Sequence, residues 1–113
     1  MTRFQSVLVE ICDRPEIYVG DRRFASVAAW LDGYSSGLTE AQGDRSKALG
    51  LTGFRDWLSQ TFHEYYGIER NLTWPTYIER VYPDDEDALR ALPELYGKFI
   101  AQAANAEKPY RTQ

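Results

Sequence analysis

A chain of 113 residues, 43% apolar and 14% aromatic, can build one real core, which excludes a disordered chain. One cysteine, Cys12, excludes an internal disulfide framework and suits a reducing compartment. Seventeen Asp and Glu against thirteen Lys and Arg leave a net charge of −4, with no basic stripe of the kind nucleic-acid binding needs.

Phe4, Val7, Leu8 and Ile11 fall on one face of a first helix that ends near Asp13. Cys12 flanks that face and reads as a small buried apolar residue. Val7-Leu8-Val9 is the longest apolar run near the N-terminus, too short for a signal-peptide core or a membrane span, so a cytoplasmic protein is expected. Arg14-Pro15 then breaks the helix, and Gly20 permits a turn. Between them Ile17, Tyr18 and Val19 form an apolar hook, predicted to fold onto the body of the protein. Arg14, Pro15, Tyr18 and Gly20 are its structural residues, with Tyr18 mostly buried against the second or third helix and Arg14 either paired to a carboxylate or bonded to helix C-terminal carbonyls.

A second helix begins near Phe24 and carries Phe24, Val27, Ala28, Leu31, Tyr34 and Leu38 on one side. Thr39 to Gly50 is either a polar extension of that helix or the longest loop. Leu49-Gly50-Leu51-Thr52-Gly53 lacks the Lys-Ser/Thr of a phosphate loop and reads as a helix entry. Phe54, Trp57, Leu58, Thr61, Phe62 and Tyr65 give the clearest stripe, a third helix stopped by Gly67.

From Leu72 to Tyr82 the aromatic and β-branched density suits a strand, but alternation is poor and Pro75 fits a helical first turn. A helix is favoured there, ended by Pro83. Asp84 is the expected N-cap of a last helix bearing Leu89, Leu92, Leu95, Tyr96, Phe99, Ile100 and Ala103 on its apolar side. Pro93 is predicted to kink or divide it, and the tail from about Glu107 reads as frayed. The expectation is one all-α domain, residues 1–113, of about five helices.

No motif carries recognisable catalytic chemistry, and no cofactor or metal is implied. His63-Glu64 lacks the second histidine of a zinc-protease motif, and His63 falls opposite the apolar stripe, facing solvent. Four acids in a row, Asp84 to Asp87, account for the whole acidic excess, since the remaining acids and bases balance. A helix start uses one or two acids. Asp85 and Glu86 are therefore expected also to meet a basic partner, speeding its approach. Trp30 and Tyr66 lie off the apolar faces, as does Tyr110, and such aromatics are enriched at interfaces.

Arg14-Pro15-Glu16-Ile17-Tyr18-Val19-Gly20-Asp21 is similar to the Arg-Pro-Gly-Met-Tyr-Ile-Gly-Asp element of type II topoisomerase ATPase domains. Position 16 is Glu, the helix Ala29 to Tyr34 has no asparagine, and the length falls short of that fold and its glycine-rich lid. The chain more closely resembles a group of small bacterial proteins with an Arg-Pro-x-x-Tyr-x-Gly element. In that group a helix like Phe24 to Tyr34, a Phe54-x-x-Trp57-Leu58 helix, a Trp74 segment and an acid-started last helix follow. The resemblance covers roughly residues 10 to 100. Its members are mostly uncharacterised, and several look like the acidic immunity proteins that accompany secreted toxins. It implies a non-enzymatic binding protein whose partner is a toxin with a basic surface, and it carries over no catalytic residue. The alternatives are an adaptor module, dimeric through an aromatic face, and a small-ligand or enzymatic domain with a pocket between helices.

Overall fold

The computed structural model describes residues 2–42 and 50–107, which form six helices and no strand. They are α1 (Arg3–Asp13), α2 (Pro15–Val19), α3 (Phe24–Gln42), α4 (Leu51–Tyr66), α5 (Trp74–Val81) and α6 (Asp85–Glu107). The fold is all-α, as expected, with α2 as the helix that periodicity did not reveal. Pro15 and Gly20, read as breakers, turn out to bound it. Pro15 sits in its first turn, where a missing N–H leaves no bond unmade. Gly20 closes it in the left-handed region, φ 82°, donating its N–H to the Glu16 carbonyl at 3.1 Å.

Several other helix ends have a local cause. Thr2 caps α1 by accepting from the Gln5 N–H at 3.0 Å. Gly50 is the N-cap residue of α4, which agrees with a helix entry there. Gly67, at φ 69°, ends α4 by donating to the His63 carbonyl at 3.0 Å. The Leu72 to Tyr82 segment is helical from Trp74, with Pro75 in the first turn. Asp84 caps α6, its carboxylate accepting from the Asp87 N–H at 3.1 Å.

Pro93 does not divide α6, which runs unbroken from Asp85 to Glu107. Leu89 and Leu92 before the proline, and Tyr96 and Phe99 after it, are all buried in one core. Keeping both halves of that apolar side in place outweighs the hydrogen bond that proline cannot donate. The same core takes Phe4, Leu8 and Ile11 from α1, Phe24, Val27 and Leu31 from α3, Phe54 and Leu58 from α4, and Tyr77 and Ile78 from α5. The most extensive helix pairing is between α1 and α6. No helix among the described residues is long and apolar enough to cross a membrane.

Two expected burials fail. Ile17, in the middle of the hook, is 67% exposed, because the five-residue helix turns Pro15 inward and Ile17 out. Tyr65, on the third-helix stripe, is 79% exposed. The expectations for residues 43–49, for the Leu38 side chain, and for Tyr110 and the tail beyond Glu107 lie outside the described residues or side chains.

Candidate functional site

The acidic cluster is engaged within the chain. Glu86 receives two hydrogen bonds from Arg22, from Nε at 2.8 Å and from Nη2 at 3.1 Å. The same guanidinium donates through Nη1 to both oxygens of Glu16, at 3.0 and 2.8 Å, so one arginine ties α2 to α6. Asp85 accepts from the Phe24 N–H at 3.0 Å and thus caps α3 from a different helix. Asp21 completes that N-terminus, accepting from the Arg23 N–H at 2.9 Å and from Ser26 Oγ at 3.1 Å. Hydrogen bonding with its own backbone N–H, then with Arg22, holds Glu16 below the usual carboxylate range, and Arg22 does the same for Glu86. Asp85 and Glu86 therefore already have partners inside the molecule.

The hook is an aromatic joint. Tyr18 is half-buried with its ring edge-on to Trp30, centroids 5.4 Å apart, and Trp30 stacks on Tyr34 at 5.3 Å. Tyr34 in turn stacks on Phe4 of α1. Trp30, placed off its helix face by sequence, is thus held against its own molecule on both sides. Arg14 is exposed and lies 3.7 Å from the Asp13 carboxylate.

Cys12 is buried on α1, and His63 is exposed on α4. Burial pushes the Cys12 thiol up to about 12, so at neutral pH it stays protonated and unreactive. His63 is exposed, as expected, with Nδ1 3.1 Å from the Ile68 carbonyl, an arrangement in which the ring closes the C-terminal turn of α4.

The exposed end of α4 is the most unusual surface. Leu51, Leu58 and Tyr65 are spaced seven apart, a spacing that keeps residues on one side of a helix. They are 5%, 0% and 79% exposed in that order, so the apolar side of α4 runs on past the core that covers it. Tyr66, 55% exposed, rests edge-on against Phe62 with centroids 5.2 Å apart. Burial, then the neighbouring Tyr66 hydroxyl and Glu94 carboxylate, hold the Tyr82 phenol above its usual range, which sets Tyr82 beside Tyr66. Sequence reasoning placed Tyr66 at the surface but put Tyr65 in the core. The period shows which side a residue is on, not where the covering helices stop.

A second feature lies along the flank of α4. The segment after Gly67 runs back along the helix, so that Asn71 and Trp74 line a cleft with Leu51 and Arg55. Its backbone is held by the Tyr77 hydroxyl. The Glu69 carbonyl, 3.0 Å away, can only accept, so it takes the single Tyr77 proton. The Leu72 N–H donates to the same oxygen at 3.2 Å. Ser59 Oγ, at 3.1 Å, is left to supply its own proton, which completes the hydroxyl's capacity. Asn71 takes the left-handed backbone, φ 70°, within this return. The cleft runs on along α4 past Asp56 and Gln60 to Arg70. At its other end the Trp74 indole N–H donates to Asp32 Oδ1 at 2.8 Å.

Comparison with known protein families, with curated proteins and with solved structures found no match for this chain.

Proposed function

We propose that this chain is a non-enzymatic protein-binding domain that docks its partner on the open end of α4. The observation that carries the reading is the Leu51, Leu58, Tyr65 series, in which the core-facing side of one helix ends in a tyrosine 79% exposed. An apolar element from a partner, laid across Tyr65 and Tyr66, would continue the covering that α5 and α6 give the rest of the helix. Paired tyrosines suit that role, since each adds a large apolar surface with a polar tip and few rotamers to order. The resemblance of the Arg-Pro-x-x-Tyr-x-Gly element gives the partner its concrete form, a secreted toxin that the domain neutralises. Because Arg22 and the Phe24 N–H already engage Glu86 and Asp85, the acidic cluster contributes to approach through its field rather than through contacts.

Isothermal titration against the product of the neighbouring gene tests this. Replacing Tyr65 and Tyr66 together by alanine is expected to weaken binding by about 30-fold or more, the effect of losing an interface anchor. The melting temperature should barely change, because both rings are exposed. Full affinity in the double variant would remove the surface from consideration. Sedimentation at two concentrations separates the competing outcome, in which a second copy of the chain occupies the same tyrosines.

A further inference from the structure

The cleft beside α4 is oppositely charged at its two ends. Near α5 it holds the Asp32 carboxylate, fixed through Oδ1 by the buried Trp74 indole. Beyond Asn71 it holds Arg70, with Arg55 lining both lobes. Asp56 lies 3.1 Å from Arg55 and offsets its charge, whereas Arg70 makes no ion pair among the described residues, so this end keeps one cation in excess. Between the charges the walls include Leu51, Leu72 and Pro75. The two lobes are open clefts of about 670 and 510 Å³ that adjoin at Arg55 and Asn71.

We infer that this cleft binds a short peptide with free termini and an apolar middle, its ammonium group at Asp32 and its carboxylate at Arg55 and Arg70. The cleft follows α4 from Thr52 to Gln60, roughly 12 Å at 1.5 Å per residue, which gives room for an extended tripeptide of about 10 Å. The Asp32 carboxylate is oriented by a neighbour, as recognition groups commonly are, and Oδ1 is the oxygen engaged by the indole, leaving Oδ2 for the ammonium. The return segment that carries Asn71 and Leu72 is held in position by the Tyr77 hydroxyl, so one wall of the cleft is formed before a ligand arrives. The cleft lies on the flank of α4 and the tyrosines at its end, so this inference and the protein-docking surface stand or fall separately.

The test is a titration of the isotopically labelled chain with the peptide Ala-Leu-Ala, followed by amide and indole chemical shifts. Saturable shifts are expected at the Trp74 indole and at Asn71. Acetylating the peptide's N-terminus, or amidating its C-terminus, should each weaken binding by about three- to tenfold, the range for exposed charge pairs. The variants assign the ends. In Asp32→Asn, which can still accept from the indole, acetylation should no longer matter, while amidation still does. In Arg70→Gln, which leaves Arg55 in place, the penalty for amidation should shrink while that for acetylation stays. No saturable shift, shifts elsewhere, or blocked peptides that bind as well as the free one would each overturn the assignment.

Discussion

At the scale of single residues, Tyr77 shows how one atom can organise a segment. Its hydroxyl is fully buried and joins the Ser59 side chain on α4 to two backbone groups of the return segment. Tyr77→Phe keeps the ring and its edge-on contact with Phe62, yet leaves the Leu72 N–H and the Glu69 carbonyl without that partner. A part-buried group stripped of its bond costs at most about 1–3 kcal/mol, so a loss of about 1–3 kcal/mol is expected in chemical denaturation. A variant as stable as the parent would mean that water replaces the hydroxyl fully. Sequence spacing marked Tyr77 as apolar and helical, which is correct. The hydroxyl's role was not legible, because its partners lie on α4 and in an irregular segment, and no period links them.

At the scale of elements, the Arg22 junction makes the attachment of α2 to α6 depend on pH. Both carboxylates it holds have folded-state pKa values below their unfolded ones. A lowered carboxylate pKa stabilises the fold above the unfolded value, about 4.3 for Glu, and that contribution is lost as pH falls through the folded value. Stability measured from pH 6 downward should therefore drop more steeply in the parent than in Arg22→Gln, and the two curves should converge in acid. Parallel curves would show that the junction contributes nothing measurable, as many exposed ion pairs do. The helices themselves were largely legible. Strong 3.6-residue periodicity located α1, α4 and α6, Arg14-Pro15 marked the end of α1, Gly67 the end of α4 and Asp84 the start of α6. The helix α2 was not, since five residues are too few to show a period and its bounding Pro15 and Gly20 looked like breaks. The engagement of Asp85 and Glu86 was hidden for another reason: composition counts charges but does not say that the Phe24 N–H and Arg22, both distant in sequence, will reach them.

At the scale of the whole molecule, the pairing of α1 with α6 closes the fold, and Cys12 reports on it. The thiol is 6% exposed and sits on α1 in a groove shared with Leu89 and Pro93 of α6. An aromatic disulfide reagent at pH 8 should label it far more slowly than a free thiol, at a rate that follows opening of the fold as denaturant is added. Leu8→Ala, which empties a fully buried position on the same helix, should speed labelling tenfold or more, from about 2–5 kcal/mol of lost stability. Immediate labelling of the native chain would show that α1 lifts away locally. The α1–α6 pairing has one more consequence, which arises during synthesis. A ribosome adding about 5–20 residues per second makes α1 first and α6 last, so Phe4, Leu8 and Ile11 wait several seconds for their chief partner. Throughout that interval the nascent chain presents an incompletely covered apolar stripe, open to holdase chaperones and to neighbouring nascent chains.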